Sequence, residues 1–137
     1  MVKRFVLDVN SWVSIFYRDK QLKLLKMIEE EEILIFTSEE NISEFADIHT
    51  KHKKIAQLLP LHTSIYVETI EEMSTLYSAQ KRYALLPDYK DNYLIDLAYQ
   101  TRSVLVTNDK HFKTAEKLKS PNVTIINLAQ FYESLNL

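Results

Sequence analysis

The sequence predicts an α/β fold, a three-layer α/β/α sandwich around a central, mainly parallel sheet of four to five strands. Two observations predict it. Short apolar runs, unbroken rather than alternating, recur at residues 4–7, 33–36, 104–106 and 123–126, which suits strands buried on both faces. Stretches with helical apolar spacing separate them, and right-handed crossovers then place all the strand C-termini on one edge of the sheet. No repeat or low-complexity tract divides the chain, so residues 1–137 are read as one domain.

In order along the chain, Arg4 to Leu7 form the first strand, which ends at Asp8, and Ser11 is placed to open a first helix. Leu22, Leu24, Leu25 and Ile28 give the next helix an apolar face, and Glu29 to Glu32 read as its solvated end. Ile33 to Phe36 form the second strand. Thr37 or Ser38 then caps a helix with Ile42, Phe45 and Ile48 turned inward. Residues 55–86 read as helical and divided at Pro60, and Pro87-Asp88 restarts a helix that packs Leu94, Ile95, Leu97 and Ala98 inward. Val104 to Val106 are the third strand, running into Thr107-Asn108-Asp109. Residues 123–126 are the fourth, and a short helix through Phe131 and Leu135 follows.

Composition narrows the functional classes. Hydrophobic residues make up 46% and charged residues 26% of 137, ordinary values for a globular domain. The chain has no Gly, which removes P-loops and other Gly-rich phosphate cradles. It has no Cys, which removes disulfides and thiolate metal sites and fits a reducing compartment. The opening MVKRFVLDV is too short and too interrupted for a signal-peptide core, and no run has the length of a membrane helix, so the expected location is the cytoplasm, with no membrane partner. The formal charge of −2 hides its distribution: with four carboxylates set aside around a cation, the remainder is net positive by about two.

The acids carry the chemistry. In open parallel sheets ligands gather beyond the strand C-termini, and two strands here end in an acid at that edge, Asp8 and Asp109. Each alone serves equally well as a turn or Asx cap. Glu44 lies six residues after Ser38 and Asp91 three after Asp88, both near helix starts. Taken singly, Asp91 is better explained as part of a capping box and Glu44 as a surface acid beside Glu39 and Glu40.

The order strand-Asp, helix-Glu, helix-Asp, strand-Asp resembles the PIN domain, the nuclease module of many toxins of the VapC type. VLDVNSWVS resembles the family's first motif, with Asp8 as its acid and Asn10 as the adjoining polar position. SEENISEFADI resembles the second, with Glu44. DYKDNYLIDLA resembles the third, with Asp91 followed by Leu94 and Ala98, and LVTNDKHF the fourth, with Thr107 and Asp109. The motifs run in order over almost the whole chain, and their set is more specific than any one of them. Val9, Asn108 and His111 stand where relatives more often carry Thr, Gly or Arg, and an acid; these departures bear on metal affinity and substrate. Asp88 and Asp96 are further acids without an assigned role, and Asp96 lies about 140° round the helix from Asp91.

The resemblance implies a PIN-like fold and a ribonuclease that hydrolyses RNA phosphodiester bonds, leaving 5′-phosphate and 3′-hydroxyl ends. It also implies a cognate antitoxin as partner, and homodimers are common in the family. Carboxylates gathered together repel unless one is protonated or a cation enters. Oxygen donors suit Mg²⁺ or Mn²⁺, whereas His49, His52, His62 and His111 show no zinc-helix pairing. Asp8, Asp91 and Asp109 are the expected metal ligands, Glu44 the group that orients or deprotonates the nucleophile, and Asn10 and Thr107 the residues that hold them. Lys110 and Lys113 beside Asp109 are the expected contacts to the RNA backbone. Lys51-His52-Lys53-Lys54, Lys117 and Lys119 serve equally as backbone contacts or as solvated surface. Tyr89 and Tyr93 suit base stacking or half-buried packing. The alternative is a non-catalytic PIN-like module that binds RNA or protein. A receiver-like domain would need an acid doublet after the first strand, which is absent.

Overall fold

The computed structural model describes residues 2–80, 92–112 and 122–137. The chain runs β1 (Lys3–Leu7), α1 (Val9–Tyr17), α2 (Gln21–Glu29), β2 (Ile33–Thr37), α3 (Glu39–Ala46), α4 (Ile48–Lys51), α5 (Lys53–Ala56) and α6 (Thr63–Met73). It continues with β3 (Thr75–Leu76), α7 (Asn92–Gln100), β4 (Val104–Val106), β5 (Ile125–Ile126) and α8 (Leu128–Leu135). All five strands are parallel, in the order β3-β2-β1-β4-β5. Phe5 therefore sits between Ile35 on one side and Val104 on the other.

The chain begins in the middle of its sheet, builds outward through β2 and β3, and returns to the far side of β1 for β4 and β5. The direction reverses between β1 and β4. That is the point at which a crevice opens beyond the strand C-termini in a doubly wound sheet.

Unbroken apolar strands are explained by two cores. Phe5 and Leu7 of β1, Ile33 and Ile35 of β2, and Val106 of β4 face one core, while Val6 and Leu105 face the other, as successive residues of a strand must. The first core takes Trp12 and Phe16 of α1, Leu24 of α2, Phe45 of α3, Ile70 of α6 and Phe131 of α8. Its aromatic rings meet edge-on, Phe5 with Phe131 at 5.0 Å and Phe16 with Phe45 at 5.8 Å. The second core takes Leu94, Ile95, Leu97 and Ala98 of α7, as the sequence predicts. Helices thus cover both faces of the sheet in a three-layer α/β/α arrangement.

Several local expectations are corrected. The first helix opens at Val9, two residues ahead of Ser11, because Asp8 is its N-cap. Ser38, not Thr37, caps α3, and the buried stripe of that helix is Asn41 and Phe45, with Ile42 only partly covered. Leu22 is 74% exposed, leaving Leu24 as the buried residue of α2. The expected helical run from residue 55 contains β3, an edge strand of two exposed residues that pairs with Phe36 and Thr37. A strand that short has no apolar run to announce it. The fourth expected strand contracts to Ile125–Ile126. Residues 81–91, where the Pro87-Asp88 restart was placed, lie outside the described residues. Among the described residues, no helix is long and apolar enough to cross a membrane.

Candidate active site

Asp8 follows the last residue of β1 directly and begins α1. Its backbone is extended (φ −71°, ψ 171°), and its Oδ1 accepts the amide of Ser11 at 2.8 Å, so the side chain caps the helix and is held by it. Its other oxygen, Oδ2, accepts the hydroxyl of Thr107, the residue after β4. The same hydroxyl oxygen accepts the amide of Asp109 at 3.0 Å. Ser11 completes the tie by donating its hydroxyl to the Val106 carbonyl at 3.0 Å. The ends of the two central strands are therefore bonded through their polar side chains, which the sheet ladder alone cannot do.

Asp109 is the more open of the two acids, with 37% of its side chain exposed. Its Oδ1 accepts the His111 amide at 2.9 Å and lies 3.3 Å from the His111 imidazole. Both strand-end aspartates thus also serve the capping or turn role that each admits when considered singly.

Burial pushes the Asp8 carboxyl above its ordinary value of 3.8, and the nearby Asp109 charge adds to the rise. The hydrogen bonds from Ser11 and Thr107 work the other way. A buried carboxylate facing a second one is a site that a cation relieves.

α3 supplies the third acid. Asn41, only 2% exposed, donates through Nδ2 to the Leu7 carbonyl at 2.9 Å and to Thr37 Oγ1 at 3.3 Å. Its Oδ1 accepts the Tyr93 hydroxyl at 3.4 Å. Asn41 therefore fastens α3 to the last residue of β1, and Glu44, three residues on, shares its side of the helix. Sequence reasoning missed Asn41. Its signal was a polar residue at helical spacing from Phe45 and Ile48, where an apolar one belongs.

Asp8, Asn10, Glu44 and Asp109 line one cleft of about 540 Å³. Leu94 of α7 reaches the same cleft, as do Ile48 and Phe112. Asp91 itself, with Asp88, Tyr89, Lys113, Lys117 and Lys119, lies outside the described residues. Thr107 stands behind the cleft, against Asp8. Lys110 is exposed beside Asp109 and does not line the cleft, whereas Lys51 and His52 do. Tyr93 packs against the second core, which favours the packing reading of its ring. Asp96 is buried in α7, away from the cleft lining.

The donors gathered here are carboxylate and amide oxygens, the chemistry that fits a hard divalent cation retaining much of its water. Among the described residues, no three His, Cys, Asp or Glu side chains lie close enough to hold one ion between them. Any direct ligand set is therefore completed by water or by residues beyond those described.

A family model for the PIN domain matches residues 4–111. No curated protein matches the chain in sequence. Solved structures share its fold at low identity. A chain of VapBC2 from Rickettsia felis, bound to a DNA fragment from their promoter, is 17% identical, with 90% of this chain and 98% of that one covered at a TM-score of 0.60. PAE2754 from Pyrobaculum aerophilum is 13% identical, with 99% and 97% covered and a TM-score of 0.62. A PilT N-terminus domain protein of the archaeon Sulfolobus solfataricus P2 is 15% identical, with 96% and 92% covered and a TM-score of 0.51. The matched segment runs from the first strand past Asp109 and so takes in each strand and helix that borders the cleft; this chain belongs to the PIN domain family.

Proposed function

We propose that the chain is a Mg²⁺- or Mn²⁺-dependent endoribonuclease, working in the cytoplasm as the toxin of a toxin–antitoxin pair. One observation carries the reading. Asp8 and Asp109, at the ends of adjacent strands where the sheet reverses direction, are joined through Thr107 and share a cleft with Glu44 and Asn10. Membership of the PIN family supports nuclease chemistry, and the VapBC2 likeness supports an antitoxin partner.

Asp8, Asp91 and Asp109 are the proposed metal ligands. The bound ion supplies activation of water and neutralisation of the developing phosphate charge. Thr107 and the Ser11 amide fix the Asp8 carboxylate in one rotamer, so that both of its oxygens are oriented before substrate arrives. Glu44 orients the attacking water and takes its proton. Asn10 offers an amide to the same cleft, and Lys110 and Lys113 lie along the RNA backbone. Asp91 is included because it matches the acid of the family's third motif, and Leu94, three residues further on, lines the cleft.

The second reading is a non-catalytic module that binds RNA or protein. Cleavage of a structured RNA pool with Mn²⁺ or Mg²⁺, comparing wild type with Asp91→Ala and Asp8→Asn, decides between them. The nuclease reading expects cutting by wild type alone. RNA retained but never cut, with either ion, leaves the binding module.

A further inference from the structure

We infer that the chain carries a second binding site, on the opposite edge of the sheet from Asp8 and Asp109, and that its ligand is a medium-chain aliphatic carboxylate. The site stands apart from the acidic cleft and does not depend on the chemistry proposed there.

A pocket of about 710 Å³ opens where β1 and β4 begin, beside α8. The length of β1, about 16 Å at the usual rise of a strand, separates it from Asp8. Its lining is divided by chemistry. Phe5, Val104 and Ile126, which also pack in the first core, give it an apolar wall. Lys3, Arg4 and Arg102 are all exposed and supply charge, and no Asp or Glu joins them in the lining. Among the described residues, none of these three cations is held in an ion pair. Unpaired cations at the edge of an apolar surface attract an anion and give it charge-assisted hydrogen bonds.

Both arginines are built into one corner. Arg4 Nη1 donates to the Thr101 carbonyl at 3.1 Å, and its guanidinium carbon lies 5.8 Å from the centre of the Phe36 ring. Arg102 follows Thr101 at φ 55°, in the turn that closes α7. The Arg102 amide meets the Tyr99 carbonyl at 3.2 Å, and the Ser103 amide meets that of Ala98 at 2.8 Å. Thr101 and Ser103 are buried and joined hydroxyl to hydroxyl at 2.7 Å. Cations carried on so fixed a frame lose little freedom when a ligand arrives.

The body of the ligand follows from what the pocket does not offer. The Ser134 hydroxyl already donates to the Phe131 carbonyl at 2.8 Å. Backbone amides nearby are spent on the sheet, Lys3 on the Glu32 carbonyl at 3.2 Å and Leu105 on that of Thr124 at 2.9 Å. A sugar, a base or a peptide would bury polar groups there without partners, at a cost in affinity. A hydrocarbon chain has no such groups. The head must be anionic, and a planar, singly charged carboxylate matches the guanidinium fork while losing less hydration than a phosphate dianion. A mostly apolar pocket of this volume, with its few polar groups gathered at one side, suits such a molecule.

The test titrates the full chain with sodium octanoate and follows its methyl groups by NMR. Val2, Val104 and Ile126 line the pocket and are expected to shift, whereas Ile48 and Leu94 in the acidic cleft stay in place. Octanoate should bind with a Kd of about 1 mM or below. From butanoate through hexanoate to octanoate, affinity should rise about fourfold for each methylene buried. Lys3→Gln and Arg102→Gln are each expected to weaken binding about tenfold. Lys23→Gln, the same change of charge on α2, leaves binding unmoved, and so does Asp8→Asn. Octan-1-ol, which keeps the chain and lacks the charge, should bind at least about tenfold more weakly than octanoate. Shifts confined to the cleft methyls, or an affinity indifferent to chain length, overturn the proposal. Octan-1-ol bound as well as octanoate, or octyl phosphate bound better, overturns it too.

Discussion

The hydroxyl of Thr107 donates to Oδ2 of Asp8, which lies 99 residues earlier in the chain, and its oxygen also takes the amide of Asp109 at 3.0 Å. Thr107 is 4% exposed and Asp8 8%, so water cannot readily stand in for either bond. Thr107→Val keeps the shape of the side chain but leaves a buried carboxylate oxygen and an amide without this partner. The expected loss is about 1–3 kcal/mol, read as a lower denaturant midpoint at constant slope. Thr107→Ser restores the hydroxyl and should melt close to wild type. A valine variant as stable as wild type would show that the bridge contributes nothing.

Asn41 does for α3 what Thr107 does for β4. Its side-chain amide meets the Leu7 carbonyl at 2.9 Å, one residue before Asp8. Asn41→Leu removes that donor, leaving the buried Leu7 carbonyl without its side-chain partner at a cost of about 1–3 kcal/mol. Because Glu44 rides on the same helix, kcat should fall further than KM rises, with the fold retained by circular dichroism. Equal kcat in a destabilised variant would mean that Asn41 is purely structural.

The layer architecture was legible because two cores demand strands without polar alternation, and Val6 between Phe5 and Leu7 shows why. Asp8 and Asp109 were legible for the same reason, as the first acids after buried runs. The helix start at Val9 was not, because one side chain, Asp8, both caps α1 and lines the cleft, and residue type alone assigned those duties separately. β3 was hidden because edge pairing to β2 needs only backbone groups, and Thr75 and Leu76 are exposed. Asn41 was hidden because a buried amide is justified by the Leu7 carbonyl, a partner distant in sequence. The −2 net charge likewise gave no hint that Lys51 and Glu44 line a common cleft.

A chain without Gly must turn at helix ends with residues that carry a Cβ. Asp19, Glu31, Arg102 and Asn136 all take positive φ, a conformation costing about 1–2 kcal/mol for most L-residues. Glu31, at φ 59° between α2 and β2, is exposed. Glu31→Gly relieves the strain but frees the unfolded chain by about 0.4–1 kcal/mol, for a net gain of up to about 1.5 kcal/mol, or roughly 5 °C in Tm. Glu31→Ala removes the same charge and keeps the Cβ, so it should gain little. Equal gains from both would assign the effect to charge repulsion along Glu29 to Glu32 instead.

Asp8 couples stability, pH and cation binding. Burial raises its pKa above 3.8 in the folded state. Between that value and the raised one, the native state holds more proton than the unfolded chain, so this group's contribution to stability falls as pH rises through the window. The penalty is absent well below pH 3.8 and complete once the pH exceeds the raised value. Asp8→Asn deletes it and keeps a side-chain oxygen to cap α1. The variant should therefore match wild type in acid and overtake it toward pH 7 in thermal melts. Millimolar Mg²⁺ or Mn²⁺ offsets the same penalty by binding the native state. It should raise the Tm of wild type at pH 7, raise it less near pH 4, and leave Asp8→Asn unmoved. A stability gap between the two proteins that stays constant from pH 4 to 7 would mean that the Asp8 charge is not held against its burial, and the case for a cation there would lose its electrostatic footing.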